Sequence, residues 1–313
     1  MKTPRPLPEE LRGRPFTLVD ASLAGISPRR WRHGSLERFG RGIRMEGATA
    51  ALPLSVRVRP FIEVNERCAA SHLTAAELIG LPQRRQTESL EVYHLIRPEG
   101  AAHLARPYVI VHRMKLFDDE VMLVDGLPVT TPERTWLDMA EILSVDEIVA
   151  MGDSCVRVPR PELEGRDMPL CSIADLQRMI DRHKGKRGLR KAKEAIELIR
   201  VGSDSPQETL LRLALVRAGM PEPELNVPII SGDGSRQPEP DLSYRKYRIG
   251  IEYEGEHHGE EGQIVRDIDR SERYAALGWT EVRISKRHML NDAKPAVVKI
   301  RTALIQAGWR RGD

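Results

Sequence analysis

EPDLSYRKYRIGIEYEGEHH, residues 239–258, decides how the C-terminal third of the chain folds. Tyr247, Ile249, Ile251 and Tyr253 alternate with Arg248, Gly250, Glu252 and Glu254, the period-2 pattern of a half-buried strand. A second short strand is expected over 241–244, with Arg245 and Lys246 at the tip between them. A tip of two or four residues sets Asp241 opposite Gly250 and diagonal to Glu252, roughly 5–8 Å away. Side chains two apart share a face, so Asp241, Glu252 and Glu254 form one acidic patch, and Gly250 leaves room in its middle. Three carboxylates so placed repel one another unless a positive group sits among them. A hard divalent cation, Mg²⁺ or Mn²⁺, meets that need, because it prefers carboxylate oxygens and keeps its waters. The competing reading is an acidic hairpin edge in solvent, neutralised by a neighbouring Lys or Arg.

The 313 residues suffice for two or three compact units, each with its own core. Charged residues at 30 % and hydrophobic ones at 40 % describe a soluble globular chain, and aromatics at 4 % are too few for base-stacking platforms. No apolar run is long enough to span a membrane, and MKTPRPLPEE lacks the apolar region of a signal peptide, so a cytoplasmic location with no membrane partner is expected. Cys68, Cys155 and Cys171 are too few and too scattered for a disulfide framework or a four-thiolate zinc site, and read as reduced buried thiols.

From the N-terminus, 16–33 reads as two short helices, with Val19, Leu23 and Ile26 giving the apolar spacing, Gly25 breaking the first helix and Ser27-Pro28 opening the second. The second helix carries Arg29, Arg30 and Arg32, which can lie along DNA, and 36–44 can form a following wing. A helix over 72–80 follows, with strands at 90–96, 108–112 and 121–129 and a helix over 130–140 whose Trp136, Met139, Ala140 and Ile142 are core candidates. His94 and His112 fall in strands and read as structural histidines. Residues 153–170, rich in Pro and charge, read as a linker or exposed loop. Beyond the helix expected at 173–182, Lys184, Lys186, Arg187, Arg190 and Lys191 make a basic run that serves either as a solvated helix face or as phosphate contacts.

Ser205-Pro206-Gln207-Glu208 is a helix start, with Ser at the cap, Pro at the first position and Glu three after the cap. Glu208 can therefore cap its own helix or aim at the acidic face, with Arg212 one turn on. A strand over 224–230, the hairpin, a helix over 262–277 bearing Arg266 and Arg270, a strand over 279–285 and a last helix over 294–307 complete the chain.

FTLVDASLAGIS, SHLTAAELIGLP and VDGLPVTTPERTWLDMAE make residues 16–156 resemble the AbiEi-type abortive-infection antitoxins. That resemblance implies an N-terminal winged helix-turn-helix that binds DNA, often the protein's own promoter, and a toxin partner. Ser205-Pro206-x-Glu208, Pro240-Asp241, Glu252-x-Glu254-Gly255, His257-His258, Arg266-Asp267-x-x-Arg270 and Gly278-Trp279 make residues 203–309 resemble the very-short-patch-repair-like endonucleases of the PD-(D/E)XK superfamily. This second resemblance implies a Mg²⁺-dependent phosphodiesterase with Asp241 and Glu252 as its two acids. Glu254 stands where the broader superfamily has Lys, which leaves His258, His257, Lys286 or a metal-bound hydroxide to activate water.

The expectation is thus a mixed α/β (α+β) chain. A winged helix-turn-helix occupies 13–50, an antitoxin-like α/β region 51–160, and a linker with a basic helix 161–202. A restriction-endonuclease-like core, a mixed sheet flanked by helices, occupies 203–313. The expected activity is Mg²⁺- or Mn²⁺-dependent DNA hydrolysis. Asp241, Glu252 and Glu254 would hold the metal, with His258 and Glu208 also catalytic. Arg29, Arg30, Arg32, Lys184, Lys186, Arg187, Arg190, Lys191, Arg212, Arg266 and Arg270 would contact DNA. No organic cofactor is expected. The alternative is a non-catalytic DNA-binding regulator or antitoxin on a scaffold of nuclease fold, and RNA is a third candidate substrate.

Overall fold

The structure is a computed structural model. It describes residues 5–47, 52–65, 67–82, 92–101, 107–230, 238–254 and 261–312, with the backbone alone for residue 163 and residues 261–268. The chain is mixed α/β and divides into two compact units, residues 1–142 with 175–189, and 143–174 with 190–313.

In the first unit, β1 (Phe16–Thr17) runs directly into α1 (Leu18–Leu23). Thr17 and Asp20 form a reciprocal cap: the Thr17 hydroxyl accepts the Asp20 N–H at 3.1 Å, and the Asp20 carboxylate accepts the Thr17 N–H at 2.8 Å. Because the helix begins at Leu18, Phe16 and Ala21 turn inward while Val19 and Leu23 stand 67 % and 84 % exposed, contrary to their expected apolar role. α2 (Pro28–Trp31) opens at Ser27, whose hydroxyl accepts the Arg30 N–H at 3.2 Å. β2 (Glu37–Gly40) and β3 (Ile43–Met45) form a hairpin, and the three strands lie antiparallel in the order β1-β3-β2.

After α3 (Leu54–Glu63), the five-stranded sheet is built from β4 (Ala69–Ala70), β5 (Tyr93–Pro98), β6 (Val109–Met114), β7 (Val121–Val124) and β8 (Leu127–Thr130), in the order β6-β5-β4-β8-β7. α4 (His72–Ile79) follows β4 and ends at Gly80 with φ +80°, and α5 (Pro132–Met139) follows β8. The expected run at 121–129 is two strands, because Asp125 and Gly126 both take positive φ, as a two-residue hairpin turn requires. Phe61, Tyr93, Leu95 and Val129 fill one core, and Trp136, Met139 and Ala140 are buried as expected, whereas Ile142 is exposed.

Among these apolar side chains lies a charged network. Arg134, fully buried, donates to Asp138 Oδ1 at 3.0 Å, to the Lys115 carbonyl at 3.0 Å and to Glu120 Oε2. His183 Nε2 lies 2.6 Å from the other oxygen of Glu120, and Lys186 Nζ lies 3.1 Å from Asp138 Oδ1. Burial alone would raise the Glu120 carboxyl, and the His183 hydrogen bond and the Arg134 charge outweigh it, holding the group below its usual range. Removing one member of such a network strands the others without water. Arg134→Ala should therefore lower the unfolding free energy by about 3–5 kcal/mol in urea titration, and a loss under about 1 kcal/mol would deny the network a structural role.

In the second unit α6 (Val145–Val156) is followed by α7 (Pro161–Glu164), and α8 (Ile173–Arg182), most of it in the first unit, by α9 (Leu189–Ile196). α10 (Pro206–Arg217) leads to β9 (Glu224–Leu225), β10 (Leu242–Tyr244) and β11 (Ile249–Glu254). α11 (Glu261–Ala276) then crosses to β12 (Thr280–Ser285), and α12 (Leu290–Gln306) ends the fold. The sheet is mixed, in the order β12-β11-β10-β9, with β11 and β12 parallel and the other pairs antiparallel. Leu211 and Leu215 of α10, Ile249 and Ile251 of β11, and Ile300 and Leu304 of α12 make the core.

The linker expected at 153–170 is corrected at its start. Asp153 is fully buried in α6, 3.0 Å from the Arg212 guanidinium, and accepts the Thr209 hydroxyl at 2.8 Å and the Arg200 N–H at 2.7 Å. Cys68, Cys155 and Cys171 are buried and form no disulfide among the described residues, as expected. Among the described residues no helix is long and apolar enough to cross a membrane.

Candidate functional site

Leu242 pairs with Ile251, Ser243 with Gly250 and Tyr244 with Ile249. Continuing that register sets Asp241 opposite Glu252, two positions from the expected pairing with Gly250. Only a two-residue tip gives the Gly250 pairing; the tip here has four residues, a 3₁₀ turn over 245–247 and Arg248 at φ +51°, and that length carries Asp241 to Glu252, which corrects the expectation for a four-residue tip. A slip of two preserves the face, and Asp241, Gly250, Glu252 and Glu254 still share one side of the sheet.

Gly250 does not leave room for an ion. A Cβ there would meet the Tyr274 ring of α11 at 2.5 Å, and the Tyr274 hydroxyl donates to Glu252 Oε1 at 2.7 Å. Gly250 is the gap that lets this ring lie against the sheet. Next to it, β12 brings Glu281 beside Gly250 and Arg283 beside Glu252. Arg283 Nη1 lies 3.3 Å from Glu254 Oε1, and Arg270 Nε lies 3.2 Å from Glu281, with its terminal nitrogens 4.0 Å from Glu252 and Glu254. Glu254 is thus answered by arginines, and among the described residues the acids of this face do not gather three donor oxygens within 4.8 Å.

Asp241 and Glu208 lie at the other end of the face. Glu208 holds the amide of Asp204 at 2.8 Å and the side-chain amide of Asn226 at 3.0 Å, so its carboxylate closes the start of α10 as well as neighbouring Asp241. Asp241 accepts the Tyr253 N–H at 2.6 Å. Burial, then the Glu208 charge, then Glu252, push the Asp241 carboxyl up to about 7, against that hydrogen bond. Burial likewise raises Glu208 and Glu252. Since the folded value for Asp241 exceeds 3.8, folding favours its protonated form. The stability it confers is full below 3.8 and is lost as pH rises through about 7. Asp241→Asn keeps an acceptor for Tyr253 without a charge. Its stability should gain on the wild type across that window by on the order of 4 kcal/mol, read by urea unfolding at both ends. A difference that does not move with pH would mean Asp241 titrates normally.

The expected DNA contacts separate into committed and exposed side chains. Arg30 is corrected: it is buried and donates to the Arg5 carbonyl at 3.0 Å, Ser35 at 2.8 Å and Glu46 at 2.9 Å. Arg212 is corrected in the same way, being 1 % exposed between Asp153 and Glu222. Lys186 serves Asp138, and Lys191 donates to the Leu143 carbonyl at 2.5 Å. Arg29, Arg32, Lys184, Arg187 and Arg190 are exposed. The basic run is not one helix face: Lys184, Lys186 and Arg187 lie in the turn between α8 and α9, with positive φ at Gly185 and Gly188, while Arg190 and Lys191 lie in the first turn of α9. Arg270 faces the sheet acids; the Arg266 side chain, His257 and His258 lie outside the described residues.

Two features of the first unit escaped the sequence. A pocket of about 630 Å³ is lined by Arg113, Lys115, Arg134, Arg182, Lys184 and Arg187, among others including His112 and His183. Beside it, His72, His94 and His112 bring one ring nitrogen each within 4.8 Å of the others. Burial lowers His72 and His112, and takes His94 down to about 4, so all three are neutral at pH 7. No spacing rule links positions 72, 94 and 112; only the pairing of β5 with β6 and the start of α4 brings them together.

Residues 69–179 match the family described as the AbiEi antitoxin C-terminal domain. Two curated Mycobacterium tuberculosis proteins, the uncharacterized proteins MT2308 and Rv2248, are each 27 % identical to the chain over 212 residues, 67 % of this chain and 72 % of theirs. The crystal structure of the RV2827C protein from M. tuberculosis aligns with 59 % of this chain and 71 % of its own at 18 % identity, with a TM-score of 0.39, too low to establish a common fold.

Proposed function

We propose that the protein is a DNA-binding regulator of the antitoxin type, acting with a toxin partner. The observation that carries this reading is the antitoxin-domain match over 69–179, directly after a basic module. That module holds two capped helices and a three-stranded antiparallel sheet, elements that a winged helix-turn-helix would use, with Arg29 and Arg32 exposed at the second helix and Arg38 and Arg41 on the hairpin. Guanidinium groups so placed contact phosphates, which fixes position on the duplex without reading sequence. On DNA from upstream of its own gene, Arg29→Ala with Arg32→Ala should weaken binding at least tenfold and reduce the slope of log K against log salt by about two. Wild-type protein that does not shift this DNA, or a double variant with the wild-type slope, would remove the reading.

A second reading, a metal-dependent endonuclease in residues 203–313, is favoured by Asp241. Its carboxyl is raised first by burial and then by the charges of Glu208 on α10 and Glu252 on the same face, a setting in which a bound cation would be favoured. Mg²⁺ needs only one or two carboxylates, so Asp241 and Glu252 would suffice, and when bound it supplies an acidic water and charge for a phosphodiester. In this chain Tyr274 would orient Glu252, the Tyr253 amide would orient Asp241, and Arg270 stands near enough to meet a phosphate. Purified protein should nick supercoiled plasmid with Mg²⁺ or Mn²⁺, and Asp241→Ala should reduce the rate at least a hundredfold. Equal nicking by both would assign the activity to a contaminant and leave the acidic face as scaffold.

A further inference from the structure

His72 opens α4, His94 is the second residue of β5 and His112 is the fourth of β6. His112 pairs with Ile96, so His94, two residues before Ile96, shares its face. The His72 and His112 rings stack with centroids 3.6 Å apart, and His94 Nδ1 lies 3.0 Å from His112 Nε2. Two nitrogens on one tetrahedral ion, each bonded at about 2.0–2.1 Å, sit roughly 3.3 Å apart. The observed separation is close to that, and the His72 ring, stacked on His112 at 18°, would have to turn out of the stack for its lone pair to reach a shared ion.

Two buried polar atoms in and beside the trio have no hydrogen-bond partner among the described residues, and the backbone of His72 is held in an unusual conformation. Nε2 of His72 is buried without a hydrogen-bond partner, its other nitrogen lying 3.0 Å from the Ser71 hydroxyl. Asp138 Oδ2, whose charge acts on His112, is buried and unpartnered too, while Oδ1 receives Arg134 and Lys186. His72 also adopts φ +48°, a conformation that a non-glycine residue holds only when its surroundings impose it.

We propose that His72, His94 and His112 form a binding site for a single divalent ion of the zinc class. Imidazole nitrogens select Zn²⁺, Co²⁺ or Ni²⁺ over Mg²⁺, which prefers oxygen. Three protein ligands leave a fourth position for water or an outside donor. The ion would tie α4 to β5 and β6, with Asp138 supplying negative charge nearby, and His112 would join the site to the cationic pocket it lines. The trio lies inside the matched residues 69–179 but includes none of the side chains assigned to DNA or to the acidic face, so it can fail or hold without deciding either reading.

Full-length protein, stripped with chelator and titrated with Co²⁺, should take up one equivalent with a visible ligand-field absorption band, and the ion should raise the unfolding midpoint by roughly 5 °C. His112→Gln, at the least buried of the three positions, should bind at least tenfold more weakly while keeping the apoprotein's circular dichroism. His257→Gln with His258→Gln should bind as the wild type does, and Mg²⁺ at the same concentration should change nothing. Wild-type protein without the band or the midpoint shift would overturn the proposal and leave an imidazole–imidazole hydrogen bond. A band that survives in both His112→Gln and His94→Gln would overturn it equally. If those variants do not fold, the wild-type titration decides alone.

Discussion

Two guanidinium groups that hardly touch water govern how this chain partitions. A buried charge is tolerated only where counter-charges and acceptors fill its valence. Arg134 meets that condition with Glu120, Asp138 and a carbonyl, and Arg212 meets it at its two terminal nitrogens with Asp153, Glu222 and the Leu198 carbonyl, its Nε having no partner among the described residues. The partners of Arg134 extend the demand: Glu120 needs His183, and Asp138 takes Lys186. Residues 175–189 are therefore drawn to the first unit although 143–174 before them belong to the second. Asp153 does the reverse for α6, whose carboxylate is needed by α10. A sequence cut at its Pro- and charge-rich stretches misses both, because the cut looks for loose chain and not for the partner of a charge.

The same blindness explains which site residues were legible. Caps were, because Ser205-Pro206 and Gly80 act within a few residues and their chemistry is local. The face shared by Asp241, Glu252 and Glu254 was, because the period of a strand is fixed; the register was not, since the conformation of Arg248 decides it. Gly250 was read as space, yet it is space for Tyr274, twenty-four positions further on. Arg30 and Arg212 carry the same charge as Arg29 and Arg32, and only Glu46 and Asp153, distant in sequence, show that they are structural. β4 is two residues long and central to its sheet, too short for any pattern to mark it.

The acidic face meets its repulsion in two different ways. At the end near β12, Arg270 and Arg283 stand among Glu252, Glu254 and Glu281, so charge is balanced by side chains the fold itself provides. At the end near α10, Asp241 is answered by a backbone amide, and burial beside Glu208 holds its carboxyl up at about 7. A scaffold needs only the first arrangement. The second costs stability above neutral pH unless a cation displaces the carboxyl proton, and this asymmetry within one face keeps a catalytic reading in view beside the regulatory one.

Donor chemistry separates the two places where an ion could matter. Asp241, partly exposed, and Glu252, buried, offer oxygens, the donors that the proposed hydrated Mg²⁺ would favour. The histidine trio offers nitrogens, mostly buried, with a carboxylate behind them, a setting suited to a smaller number of tighter bonds. An oxygen site that keeps its waters can exchange ions and meet a phosphate, whereas a nitrogen site across a helix and two strands restrains the chain that carries it. The trio lies within the antitoxin-like residues 69–179, where a fold of short strands such as β4 gains most from a restraint of that kind.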